Sequence, residues 1–388
     1  MKNIIGVAAE YNPFHLGHAL QLEKSKEILP DAAVICVMSG DFVQRGDAAI
    51  FPKHLRAEAA VRSGADLVLE LPLPWCLSSA EGFSRGMVSL LKNTGVVTHM
   101  SFGSECGNVE ALQAISDAMA TSAYQTALRE QLETGISYAA ARQLALERLG
   151  MNAAALEGPN DLLGIEYLNA IRDLEANVTT IAIPRTGAGH DQTGEGPYRS
   201  ASEIRERLRI GEDVSAFVPT AVDPIHLPDS KRLELAILSR LQMLPRSAFA
   251  DAPGAGEGLD NLLYKAVHTE STLDAVCMAA KSKRYALSRI RRMALSAALG
   301  ITKADASGLP PYLRVLAAND VGRALLHAMK NTANLPILTK PAAANDLPDA
   351  AKRIFELTSA AHDFYLLCSR TPASRAPGGD YRTSPMML

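Results

Sequence analysis

Residues 6–18, Gly6-Val7-Ala8-Ala9-Glu10-Tyr11-Asn12-Pro13-Phe14-His15-Leu16-Gly17-His18, decide how the N-terminal half of the chain is built. The apolar run Ile4 to Ala9 reads as a buried strand, Tyr11-Asn12-Pro13 as a turn, and the residues from the histidines onward as an amphipathic helix. A glycine between two histidines at a helix start suits a polyphosphate. The glycine admits close approach, the helix start supplies free N–H groups and the positive dipole end, and the imidazoles add directed donors. Such pre-placed donors stabilise charge that builds on non-bridging oxygens during attack at phosphorus, so His15 and His18 are assigned electrostatic roles. A histidine that only caps the helix is the plain alternative.

Outward from this unit, strands and helices alternate. Residues 32–40 (AAVICVMSG) form a second apolar run, 54–65 (HLRAEAAVRSGA) a helical pattern, and 66–72 (DLVLELP), 96–105 (VVTHMSFGSE) and 178–185 (VTTIAIPR) further strands. This order predicts an α/β fold, a Rossmann-like parallel sheet whose ligands collect at the strand carboxyl ends. Those ends carry Glu10 to His18, Ser39 to Gly46, Gly103 to Glu105 and Pro184 to His190. Past Val222 the β-type runs largely disappear, and residues 233–244, 273–299 and 321–330 read as helices. Two domains are expected: 1–225, with the sheet and the nucleotide site, and 226–388, mainly α-helical. Residues 247–258, rich in Ala, Pro and Gly, read as a loop, and the tail from Thr371 lacks helical periodicity.

The chain has 388 residues, 47% hydrophobic and 21% charged, which excludes a largely disordered protein. A net charge of −3 supplies no global basic field, so any nucleic-acid partner must be held by a local patch. The cysteines Cys36, Cys76, Cys106, Cys277 and Cys368 are scattered and never paired as CxxC, which argues against a disulfide framework or zinc knuckle. A soluble protein of the reducing cytoplasm is expected, because the N-terminal apolar run is too short for a signal peptide or membrane span.

Other segments carry weaker signals. In Arg199-Ser200-Ala201-Ser202-Glu203-Ile204-Arg205, Ser200 or Ser202 can cap a helix facing phosphate, with Arg205 one turn inside pointing back. The same spacing also marks an ordinary helix start. Ser39 to Gly46 reads equally as a ligand-contacting loop and a surface turn. Gly158-Pro159-Asn160-Asp161 and Pro184-Arg185-Thr186-Gly187 are turns whose position near the crevice gives them interest. No acidic residue falls between Asp274 and Asp305, where Lys281, Lys283, Arg284, Arg289, Arg291 and Arg292 cluster. Leu287, Ile290, Ala294 and Ala297 share one helical face there, so the basic groups point elsewhere, either as a solvated face or toward RNA phosphates.

Taken together, residues 6–18, 39–72, 102–105, 158–171 and 198–208 resemble the bacterial tRNA(Met) cytidine acetate ligase family, within the HxGH nucleotidyltransferase-like superfamily; residues 309–330 extend the resemblance into the C-terminal half. The resemblance implies an ATP-dependent ligase that activates acetate as acetyl-adenylate. It would acetylate the wobble cytidine of elongator tRNA(Met) to N4-acetylcytidine, releasing AMP and diphosphate. The family's ATP site carries over to Val7, Ala8, Ala9, Glu10, Tyr11, Asn12, Pro13, Phe14, His15, Leu16, Gly17, His18, Ala19 and Leu20, and to Gly103, Asn160 and Arg185. Mg2+ is expected with ATP, though no protein ligand for it is named. A small-molecule adenylyl- or cytidylyltransferase is the alternative enzyme, and a nucleotide-sensing RNA-binding module the alternative from another class.

Overall fold

The structure is a computed structural model that describes residues 3–185, 196–221 and 223–388. Its strands are β1 (Ile4–Ala9), β2 (Ala33–Ser39), β3 (Phe42–Val43), β4 (Asp47–Ala48), β5 (Leu67–Leu71), β6 (His99–Ser104), β7 (Thr179–Pro184), β8 (Leu313–Ala318), β9 (Ile337–Leu338) and β10 (Met386–Met387). One sheet runs in the order β10-β8-β5-β2-β1-β6-β7, with β9 also paired to β8, while β3 and β4 form a separate hairpin. The pairs joining β5, β2, β1, β6 and β7 are all parallel. Strands covered on both faces lose the polar alternation of exposed ones, which is why β2 is apolar almost throughout and buried at every position.

The chain steps from β1 to β2 to β5 in one direction and then returns to place β6 on the other side of β1. A crevice opens at such a reversal, beyond the carboxyl ends of the two strands. Helices α1 (Leu16–Ile28), α2 (Lys53–Arg62) and α3 (Ala80–Asn93) follow the first three long strands. The close fit of α3 on β1 depends on Gly6, where an added Cβ would lie 2.7 Å from Leu91 Cδ2.

The C-terminal half is mainly helical, yet β-structure does not end at Val222. Leu313–Ala318 is a fully buried strand antiparallel to β5, and Met386–Met387 extends the sheet beyond it. Arg314 hides this strand in the sequence by interrupting its apolar run with a charge. The helix expected over 273–299 is broken into Leu273–Ala279 and Leu287–Leu299, and the short helix Arg246–Asp251 takes up the first part of the loop expected over 247–258.

Arg314 belongs to a buried ionic cluster that joins both halves of the chain. Lys53 Nζ lies 2.8 Å from Glu70 Oε1 and 2.6 Å from Asp380 Oδ2, while Arg314 Nη1 lies 3.1 Å from Glu70 and 2.7 Å from Asp380. Asp41 accepts from the Lys53 backbone N–H at 2.9 Å and meets His362 Nδ1 at 2.7 Å. Burial disfavours every charge here, but Lys53 and Arg314 outweigh it at Asp380 and hold that carboxyl well below its usual range. At His362 burial acts downward, and the Asp41 carboxylate overcomes it and raises the imidazole above its ordinary value.

Asp380→Asn leaves Lys53 and Arg314 short of a countercharge and is expected to cost about 3–5 kcal/mol in urea unfolding. The raised His362 contributes stability that is fully present below pH 6.5 and disappears as pH rises through its folded value. His362→Gln is therefore expected to flatten the decline in unfolding free energy as pH rises above 6.5.

Candidate active site

The carboxyl end of β1 turns sharply into α1. Tyr11 adopts a left-handed backbone with φ 48°, unusual for a residue with a side chain, and the Asn12–Pro13 peptide is cis. Packing holds this turn: the buried Tyr11 ring meets Phe14 edge-on at 4.7 Å and His18 at 4.9 Å, and its hydroxyl lies 3.2 Å from Cys36 Sγ.

His15 is the N-cap of α1, and the helix start is more fully used than the sequence suggests. Leu16 N–H donates to the Phe217 carbonyl at 2.9 Å, Gly17 N–H to His15 Nδ1 at 3.1 Å, and His18 N–H to the His15 carbonyl at 2.9 Å. The expectation of free backbone donors is thus corrected: capping satisfies these three groups within the protein. Ligand recognition passes to side chains.

The two imidazoles stack with centroids 3.7 Å apart. His15 N–H donates to His18 Nδ1 at 3.3 Å, so both Nδ1 atoms accept backbone protons. Each neutral ring must then carry its own proton on Nε2, which leaves two Nε2–H donors at the crevice the rings line. Burial, reinforced by Arg185 and Arg205, lowers His15 to about 3. Burial, His15 and Arg185 hold His18 well below its ordinary value. Both donors are therefore neutral at pH 7 before any anion binds.

Gly103, near the end of β6, and Arg185, just past β7, line the crevice opposite the histidines. Gly103 leaves room there, since an added Cβ would touch only Arg185 Cγ at 3.8 Å. Asn160 stands beside Arg185, its Oδ1 3.5 Å from Nη1. It is positioned by a reciprocal clamp between two motifs. Glu105 accepts Asn160 and Asp161 N–H at the start of helix Pro159–Asp173, and Asp161 accepts Glu105 and Cys106 N–H together with the Ser104 hydroxyl. Each carboxylate caps the other's segment, a pairing with no local sequence signature. Thr186 to His190 lie outside the described residues.

Of the residues in the first loop, His15, Gly17, His18 and Leu20 face the crevice. Val7, Ala9 and Tyr11 are core, and Pro13 and Phe14 border a separate cavity of about 310 Å³ with Phe51 and Leu55. Glu10 and Asn12 latch the following loop: Glu10 Oε1 accepts Gln44 N–H at 2.6 Å and Asn12 Oδ1 accepts Ile50 N–H at 2.7 Å. Buried Arg56 adds donations to the carbonyls of Glu10, Ser39, Gly40 and Phe51. Ser39 to Gly46 is thus tied to the site's first loop, and Arg56 is a scaffold residue that sequence reasoning missed.

In the second motif, Ser200 rather than Ser202 caps the helix Ala201–Arg209, accepting Glu203 N–H at 3.2 Å. Ser202 receives Arg205 Nη2 at 3.1 Å, and Arg205 Nη1 donates to the Asn12 carbonyl at 2.8 Å. Arg205 does point back, onto the backbone of the first loop. The basic stretch divides as well. Lys281, Lys283 and Arg284 are exposed between two helices, whereas Arg289 bonds Gly254 and Glu257, Arg291 pairs with Asp274 at 2.9 Å, and Arg292 donates to the Gln44 carbonyl at 3.2 Å.

The sequence profile of the HIGH Nucleotidyl Transferase family matches residues 1–378. A tRNA(Met) cytidine acetate ligase of Syntrophomonas wolfei is 35% identical over 99% of both chains, and one of Acetivibrio thermocellus is 32% identical over 99% of this chain and 100% of its own. Among solved structures, Thermotoga maritima TmcAL bound with alpha-thio ATP is similar with a TM-score of 0.91 and 30% identity, covering 100% of this chain and 99% of that one. The apo form of the same protein gives 0.93 and 31% with the same coverage. A mainly parallel sheet with its reversal beside β1, a stacked HxGH pair at the crevice and full-length likeness to these proteins agree: the chain belongs to the tRNA(Met) cytidine acetate ligase family of HIGH nucleotidyltransferases.

Proposed function

We propose that this protein uses ATP to activate acetate and transfers the acetyl group to the wobble cytidine of elongator tRNA(Met), forming N4-acetylcytidine. The observation that carries this reading is the pair of neutral, stacked imidazoles in a crevice shared with Gly103 and Arg185, in a chain of this family. Acetate is an unreactive carboxylate, so it needs a leaving group before a weakly nucleophilic amine can attack it. In the first step an acetate oxygen bonds to the α-phosphorus of ATP and the bond to the β-phosphate oxygen breaks, giving acetyl-adenylate and diphosphate. In the second, the cytidine N4 bonds to the acetyl carbon, the carbon–oxygen bond to AMP breaks, and the amine loses a proton. Neither step requires a covalent enzyme intermediate.

His15 and His18 take electrostatic roles here. Their Nε2–H groups donate to oxygens that gain charge at the α-phosphorus, and their low proton affinity keeps both rings neutral, with Nδ1 left to accept a backbone N–H. Asn160 and Arg185 complete the nucleotide site, with Ser200, Ser202 and Arg205 supporting the loop that carries the histidines. The side chains described around the crevice include imidazoles and guanidiniums, poor ligands for a hard cation. Mg2+ accompanying ATP is therefore expected on the triphosphate's own oxygens and water. No helix among the described residues is long and apolar enough to cross a membrane, and we place the reaction in the cytoplasm. An anticodon loop presents unstacked bases, so the cytidine amine is reachable without opening a duplex. The basic stretch Lys281 to Arg292, in the 226–388 half, is assigned to tRNA phosphates, chiefly through exposed Lys281, Lys283 and Arg284.

Incubation with ATP, acetate and methionine tRNA, followed by mass spectrometry of the tRNA and measurement of AMP, is expected to give N4-acetylcytidine dependent on acetate; its absence overturns this reading. His18→Ala is expected to lower turnover by about 10²–10³-fold, the loss typical of a removed oxyanion donor. Turnover near the wild-type rate would remove His18 from the chemistry. Reversal of Lys281, Lys283 and Arg284 to Glu is expected to weaken tRNA binding and reduce its salt slope by about 2 to 3. An unchanged slope would place the tRNA elsewhere.

A further inference from the structure

The donors around the crevice differ in how far the protein already uses them. The first N–H groups of α1 are taken by Phe217, His15 and the helix itself. Arg205 is held by the Asn12 carbonyl and Ser202, and Ser200 by the cap it forms. Arg199 stands apart. It lines the same crevice as His15, His18, Gly103 and Arg185, yet its Nη1 is buried and has no hydrogen-bond partner among the described residues. A covered, charged donor without a partner is unfavourable and marks a place where a ligand atom completes the bonding.

The guanidinium is nonetheless held in position. Phe217 lies under it, with Cζ 5.2 Å from the ring centroid, and Glu203 Oε1 is 3.2 Å from Nε. Arg207 occupies the ring's surroundings at 5.4 Å and pairs with the same Glu203 oxygen at 2.9 Å. The Phe217 carbonyl also accepts Leu16 N–H, so one residue contacts both the start of α1 and the Arg199 guanidinium. A preset guanidinium fork suits phosphate oxygens better than a flexible ammonium does.

Resting on the ATP-using reading above, we propose that Arg199 binds the outer phosphates of the nucleotide, the part that leaves as diphosphate. The histidine donors are neutral, and much of the negative charge of ATP lies beyond the α-phosphate. A fixed cation at the crevice wall therefore contributes most to the triphosphate and little to a monophosphate. The sequence contains the residue at the first position of Arg199-Ser200-Ala201-Ser202, but it stands outside the cap, where no helix-start rule assigns it a role.

The test is equilibrium binding of ATP and of AMP to the full-length protein and to Arg199→Gln and Arg199→Lys, with thermal melting of each. Arg199→Gln is expected to weaken ATP by about tenfold or more while AMP changes by less than about twofold, and Arg199→Lys to recover part of the loss. The proposal is overturned if Arg199→Gln binds ATP as the wild type does, or if ATP and AMP lose affinity by the same factor, which marks a role in shaping the crevice. Should Arg199→Gln fail to fold, the same ATP-to-AMP comparison on Arg199→Lys decides. A wild-type protein that binds no ATP overturns the nucleotide reading itself, an outcome distinct from wild-type binding that survives loss of Arg199.

Discussion

Lys53, wholly buried, sits where the two halves of the chain meet, and its countercharges come from distant parts of the sequence. Glu70 belongs to β5 and Asp380 to a short C-terminal helix that also holds Arg314 of β8. An ammonium without water is tolerable only beside carboxylates in good geometry, so the C-terminal tail must return to the sheet edge. The same residue reaches the reaction crevice by another route. Its backbone N–H bonds Asp41, in the loop whose Gln44 is latched by Glu10. The ionic cluster, the Ser39–Gly46 loop and the histidine turn are thus mechanically continuous, and Arg292 joins the helix Leu287–Leu299 to that loop at Gln44.

Against this rigid backing, the crevice separates shape from charge. Neutral imidazoles pinned by backbone N–H groups supply direction, since their tautomers are set before substrate arrives. Guanidiniums supply charge: Arg185 opposite the rings, Arg205 behind the loop and Arg199 on the wall. Keeping the imidazoles uncharged avoids adding to the repulsion among these cations, and burial enforces it. A polyanion then meets donors that need no reorganisation.

The parallel core strands were legible because strands buried on both faces show as apolar runs, and the histidine turn because it joins a strand to a helix start. Strand β8 was not, since Arg314 breaks its run and is tolerated only through Glu70 and Asp380, which no local window contains. The break at residues 280–286 escaped the helical pattern because charge and apolar spacing continue across it. In the site, His15, His18, Gly103 and Arg185 were found together at the crevice, whereas the spare donor of Arg199 and the Glu105–Asp161 exchange depend on three-dimensional proximity.

The amino-acid order alone determined the α/β class and the segments that bound the crevice, because periodicity and turn chemistry are local properties of neighbouring residues, and its long motifs carried the resemblance to the family. Tertiary structure decided which ring nitrogens carry protons, which donors remain for a ligand, and how the C-terminal half extends the sheet beyond β5. Those are questions of which groups meet across long sequence separations and lose water when they do, and burial with pairing, rather than residue type, sets the answer.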